Sequence, residues 1–146
     1  MTSAEPPVLF ACTQNAVRSV MALALFEKRQ GDGGRQAVSC GIIEGPLDGF
    51  VVSVLAEQGL DVSAHEAQVF EALDPGQFDL IISFSKEAED KALRWAKQGC
   101  TTLFWDVRPP HVNERSREET LDSYRQIRDQ IDSLLTEYFG DKAQKT

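Results

Sequence analysis

Short apolar runs alternate with stretches of helical periodicity four times along this chain. Residues 8–12 are apolar throughout and lead into a helical pattern over 18–30 that stops at Gly31. A second run at 37–40 precedes a helical stretch over 48–58 closed by Gly59, and a third at 78–83 precedes one over 86–98 closed by Gly99. A fourth run, 102–105, passes through a proline turn into the best-marked element of all. There Ser116-Arg117-Glu118-Glu119 has the form of a capping box, Leu121, Tyr124, Ile127, Ile131, Leu134, Leu135 and Tyr138 recur at helical spacing, and Gly140 closes the helix. Apolar runs of this length bounded by glycine read as buried strands, and their alternation with helices predicts a parallel sheet covered on both faces and joined by right-handed crossovers. Ligands of such sheets sit at the carboxyl ends of the strands.

The chain has 146 residues, which suits one domain spanning 1–146, and 42% of them are hydrophobic, as in an ordinary globular protein. There is no repeat or low-complexity tract; residues 1–6 and 141–146 are the segments expected to be mobile. The N-terminal residues lack a basic segment and an apolar core, and no stretch is long enough to span a bilayer, so the expected compartment is the cytosol and no membrane partner is expected. A net charge of -8 offers no basic stripe for nucleic acid, yet a focused local field can still hold a small anion. The three cysteines, at 12, 40 and 100, make neither a disulfide framework nor a zinc-ligand pattern.

The chemistry concentrates at the end of the first run, in Cys12-Thr13-Gln14-Asn15-Ala16-Val17-Arg18-Ser19. Backbone N–H groups converge at a strand-to-helix turn where the positive end of a helix dipole begins, so such a turn holds dianions and favours the thiolate of a cysteine at its base. Arg18 can grip two oxygens of an anion bidentately. Asn15 tolerates the left-handed backbone that a tight cradle demands, and Ser19 can give its hydroxyl to the sulfur. Thr13, Gln14, Asn15, Ala16, Val17, Arg18 and Ser19 are therefore the expected anion-binding residues and Cys12 the expected nucleophile. No metal or organic cofactor is required, because Arg18 and the backbone neutralise the charge.

This segment, followed by Met21-Ala22, resembles the signature loop of the low-molecular-weight protein tyrosine phosphatases, a family that includes the thioredoxin-coupled arsenate reductases. Val38-Ser39-Cys40-Gly41, the segment from Gly59 to His65, and Phe78-Asp79-Leu80-Ile81-Ile82 are similar to further family segments. The resemblance implies a three-layer α/β/α fold with a four-stranded parallel sheet. It also implies hydrolysis of phosphomonoesters, by default protein phosphotyrosine, through a phosphocysteine. The expected partner is a phosphorylated protein or a small phosphomonoester.

The chain departs from the family where a leaving-group acid is needed. The family's Asp-Pro pair falls on Pro109-Pro110, which puts a proline in the acid's place, and the nearest carboxylate is Asp106. Asp106 then has two readings, the catalytic acid or a residue capping the turn after the strand. Without an acid, turnover of poor leaving groups slows by roughly 10²–10⁴-fold. His111 reads as an exposed loop residue, with acid or substrate contact as its alternative, and Trp105 as a core aromatic. Ser83 and Ser85 stand where the reductase branch carries relay cysteines, which disfavours that branch unless an external thiol serves. A phosphate-binding module with a decayed acid loop is the other alternative. Val17 replaces a second loop cysteine of many relatives. The family topology sets Cys40 beside Cys12, where it reads as a buried residue or as a disulfide partner under oxidation; Cys100 reads as structural.

Overall fold

The computed structural model describes residues 5–31 and 33–140. Its regular elements are β1 (Val8–Cys12), α1 (Arg18–Gln30), β2 (Ala37–Gly41), α2 (Gly49–Ala56), β3 (Leu80–Ser83), α3 (Lys86–Trp95), β4 (Thr101–Phe104) and α4 (Arg117–Phe139). The four strands form one parallel sheet in the order β2-β1-β3-β4, as the alternation of runs predicts. Of the segments expected to be mobile, 1–4 and 141–146 lie outside the described residues, while the Pro6 carbonyl accepts from Arg35 Nε at 2.8 Å.

All five residues of β1 are buried because both faces of the sheet are covered. Val8, Phe10 and Cys12 point to one face, beneath α1, α2 and α4; Leu9 and Ala11 point to the other, beneath α3. Phe10 is fully buried and packs edge-on against Phe26 of α1, with ring centroids 5.6 Å apart. On the other face Phe70, Phe78 and Trp95 gather, with Ala88 and Ala92 allowing α3 close approach.

Element ends differ from expectation where side chains compete for the backbone. The second helix is shorter, because Asp48 is its cap: its Oδ1 accepts from Phe50 N at 2.8 Å and so keeps Asp48 itself extended. The third ends at Trp95 instead of residue 98, with Ala96 already extended. The fourth strand starts one residue early, and the third only at Leu80. Two single 3-10 turns, Phe70–Ala72 and Pro75–Gln77, lack any periodic signal. At the start of α4 half of the capping box forms: Ser116 Oγ accepts from Glu119 N at 3.1 Å, whereas the Glu119 carboxylate turns to Asn113 Nδ2.

Long α4 is held to α2 at both ends. Tyr124 donates to Asp48 at 2.6 Å, and Glu57 accepts from Arg125 (2.8 Å to Nη2) and from Arg128 (2.9 Å), which also donates to the Val54 carbonyl at 2.8 Å and to Asp129 at 2.9 Å. No helix among the described residues is long and apolar enough to cross a membrane.

Hydrogen bonds from Arg125 and Arg128 lower the Glu57 carboxyl from its ordinary 4.5 to about 2. A depressed carboxyl contributes stability above its unfolded value, and that contribution is lost as pH falls through the folded value. Urea midpoints measured from pH 6 to pH 2 should therefore fall more steeply for the wild type than for Glu57→Gln, with the two converging near pH 2 and the gap shrinking in salt. Parallel curves would mean that this cluster is fully screened by solvent.

Candidate active site

Residues 13–17 connect β1 to α1 and carry one end of the sheet into a tight turn. Their carbonyls are taken up from outside. Thr13 O accepts from Ile42 N at 2.8 Å and from Ile43 N at 3.0 Å, Gln14 O from Gly45 N at 2.9 Å, and Asn15 O from His65 Nε2 at 2.9 Å. A trans peptide sets each carbonyl opposite the following N–H, so the amides of Gln14, Asn15 and Ala16 turn inward. Among the described residues none of the amides from Gln14 to Arg18 donates to a protein acceptor. Val17, at the N-cap of α1, supplies no side-chain cap either, and the first turn carries no acid. The arrangement is an anion cradle at a helix N-terminus.

Close approach makes this bracing possible. Gly41 pairs in register with Cys12, and a Cβ there would lie 2.7 Å from Asn15 N and 2.9 Å from Gln14 C, so the β2 backbone touches the turn directly. Among the described residues Asn15 is the sole non-glycine with positive φ, at 54°. A conformation that costs about 1–3 kcal/mol persists where its surroundings over-determine it. Here Asn15 Nδ2 donates to Ser19 Oγ and to Ser39 Oγ, both at 2.9 Å, and its Oδ1 accepts from Gln68 N at 3.0 Å.

That order of donors decides what Ser19 does. The Gln68 N–H can face only the amide oxygen, so Nδ2 faces Ser19, and Ser19 Oγ accepts. Its own proton is then free for Cys12 Sγ, 2.9 Å away. A buried relay thus ends on the sulfur with a donor.

Arg18 is fixed from the other side. Its Nη1 donates to Phe84 O at 3.0 Å and to Val107 O at 2.9 Å, which uses both protons of that nitrogen and leaves the Nε–Nη2 edge for an anion. Thr13 Oγ1 donates to Ser85 Oγ at 3.0 Å, and Ser85 also caps α3 through Ala88 N. Cys12, Thr13, Gln14, Ala16, Val17 and Arg18 line a pocket of about 320 Å³ whose remaining wall is Pro109 and Pro110. Arg18 is the sole charged residue in that lining.

The expected residues divide accordingly. Cys12, Thr13, Gln14, Ala16, Val17 and Arg18 come together on the pocket, with Asn15 and Ser19 buried behind it. Asp106 does not join them: it is exposed and absent from the pocket wall. It sits at the apex of a one-residue turn closed by Val107 N donating to Trp105 O at 2.8 Å. His111 is exposed, its backbone N–H bonded to Ser123 Oγ at 2.6 Å. Trp105 packs against the core beside Phe84.

Cys40 does not face Cys12. It pairs in register with Ala11, so it lies on the α3 face while Cys12 lies on the α1 face, and the sheet separates the two thiols. A direct disulfide between them is thereby excluded, and both are free. Burial, with Cys12 and Glu71 as lesser causes, pushes the Cys40 thiol well above its usual range, so it stays protonated. Cys100 immediately precedes β4, at the sheet end away from the pocket, where it packs against the core of the α3 face and its thiol donates to the Thr101 carbonyl at 3.7 Å.

Several residues of this assembly carry no chemical signal in sequence. Gln68 and Ser85 reach the turn from distant loops, and Phe84 and Val107 act through carbonyls that any residue would supply. Ser39, Gly41 and His65 fall within family-like segments, and that was the available clue.

Comparison with known proteins agrees with this geometry. Residues 7–146 match the family described as low molecular weight phosphotyrosine protein phosphatase. A probable low molecular weight protein-tyrosine-phosphatase EpsP of Ralstonia solanacearum is 29% identical over 119 residues, covering 78% of this chain and 81% of that one. A protein-arginine-phosphatase of Geobacillus stearothermophilus is 28% identical over 143 residues (88% and 90%), and an arsenate reductase of Bacillus licheniformis 26% identical over 131 (90% and 93%). In fold, the YwlE arginine phosphatase from Geobacillus stearothermophilus superposes with a TM-score of 0.77 at 21% identity, over 97% of this chain and 94% of that one. With a match that runs from the first strand through the last helix, the chain belongs to the low molecular weight phosphotyrosine protein phosphatase family and is a cysteine-based hydrolase of that family.

Proposed function

We propose that the protein hydrolyses phosphomonoesters through a phosphocysteine, with protein phosphotyrosine, the family's default, as the first substrate to test. Cys12 Sγ attacks phosphorus and expels the leaving oxygen; the loop amides and the Nε–Nη2 edge of Arg18 hold the equatorial oxygens; water then displaces the sulfur, which Ser19 receives with its hydroxyl proton. The observation that carries this reading is the meeting of Cys12, Arg18 and uncommitted amides on one pocket, with an ordered donor at the sulfur. Asp106, expected as the acid, is exposed and off the pocket wall, so protonation by Asp106 is not part of the mechanism proposed.

Other chemistries within the family find less support. Arsenate reduction through an internal relay needs further thiols near Cys12, whereas Cys40 is behind the sheet and Cys100 at its far end. A pure binding module agrees with the acid-free wall, and would give tight phosphate binding with no turnover at all.

With p-nitrophenyl phosphate, Cys12→Ser should fall to background and Arg18→Lys should lose about 10²–10³-fold in kcat/KM, since lysine cannot reproduce a two-pronged grip. Wild-type activity no higher than that of Cys12→Ser would sink the hydrolase reading for this pocket. Gly41→Ala tests the bracing separately. Its Cβ would push Asn15 N and Gln14 C outward, and a misplacement of this size costs on the order of 10²-fold in rate. Inorganic phosphate should bind correspondingly weaker, while thermal melting stays cooperative. Unchanged kinetics in Gly41→Ala would show that the turn tolerates movement.

A further inference from the structure

Resting on that reading, we propose that the pocket is selective for phosphoryl groups whose leaving group departs as a stable anion without a proton: acyl phosphates first, acidic aryl phosphates after them. Three observations carry this. The residues lining the pocket include no carboxylate and no imidazole, and its solvent-side wall is Pro109 and Pro110, which donate no proton. The backbone that carries Asp106 is anchored on both sides. The neighbouring Val107 is fully buried in the core, the Val107 carbonyl holds Arg18 at 2.9 Å, and the Trp105 N–H is bonded to Ser83 O at 2.9 Å. Moving that turn would withdraw Val107 from the core and release Arg18 from one of its two anchors. His111 and Glu114, the other groups of suitable chemistry on the same loop, are both exposed and absent from the lining.

In the return half, too, no carboxylate or imidazole of the lining takes a proton from water, so water attacks the phosphocysteine unaided. In the first step the Cys12 lone pair forms S–P while P–O breaks, and the electron pair leaves on the departing oxygen with no proton transferred. In the second, water forms the new P–O bond, S–P breaks, the pair returns to Sγ under the Ser19 hydroxyl, and the water protons remain with phosphate and solvent. The first step therefore depends on the leaving group alone. A carboxylate, of pKa about 4, leaves freely; a tyrosine phenolate, at about 10, leaves far less readily; a serine alkoxide hardly leaves at all. The guanidine of phosphoarginine departs only once protonated, which sets this pocket apart from one suited to arginine phosphate.

The test uses the full chain and compares kcat/KM for acetyl phosphate, p-nitrophenyl phosphate, phosphotyrosine peptide and phosphoserine peptide, in the wild type and in Asp106→Asn and His111→Gln. Acetyl phosphate and p-nitrophenyl phosphate should exceed phosphotyrosine by roughly 10²–10⁴-fold, the increment that a general acid would otherwise remove. Phosphoserine should be inert, and neither substitution should change the order. Rapid mixing with p-nitrophenyl phosphate should show a burst of nitrophenolate, because an unaided first step that is nonetheless fast leaves phosphocysteine hydrolysis limiting. Rates that vary less than ten-fold across the series would overturn the proposal, as would a loss confined to phosphotyrosine in Asp106→Asn or His111→Gln, which would identify that residue as the acid. Either result leaves the hydrolase reading intact. No turnover of any substrate above Cys12→Ser would instead overturn both.

Discussion

Everything at this site depends on keeping successive peptide groups of one short turn facing the same way. Amides that converge on a point repel one another and would splay apart in water, so their outward carbonyls must be held by something rigid. Here the holding is done by Ile42, Ile43, Gly45 and His65, all outside the turn itself. The sheet supplies the rigidity: β2 delivers Gly41 against the turn, and β1 delivers Cys12 to its base. Pre-organised dipoles of this kind stabilise developing charge without reorganising at the moment of reaction.

Asn15 links that backbone architecture to the chemistry of the sulfur. One residue in a left-handed conformation both reverses the chain and orients a hydrogen-bond relay through Ser19 to Cys12. Arg18 forms a second link, toward the opposite wall, since its carbonyl anchors come from the loops that follow β3 and β4. The nucleophile, the cation and the pocket wall are therefore coupled through buried contacts.

Periodicity made the layers legible in the sequence, because a run such as 8–12 is apolar for the plain reason that both faces of the sheet are covered there. The cradle was legible as well, through the spacing of Cys12, Asn15, Arg18 and Ser19. What sequence left out is what depends on three-dimensional register. Whether Cys40 faces Cys12 turns on a single step of strand pairing, and β1 pairs Ala11 with it. Whether Asp106 reaches the pocket turns on one peptide, fixed by the burial of Val107 and by a hydrogen bond between Trp105 and Val107. Gln68 was illegible for another reason: much of its contribution is made by a backbone N–H that carries no residue signature.

Consecutive prolines at 109 and 110 give the wall a character of its own. Each ring fixes its own φ and removes an N–H, so the stretch is stiff and donates no backbone hydrogen bond to a bound group. It behaves as a gauge, passing what fits between stiff rings and the cradle and losing almost no freedom when something does. A wall of that kind can be remodelled one ring at a time, and the fit changes, while the turn that grips phosphorus is left as it was.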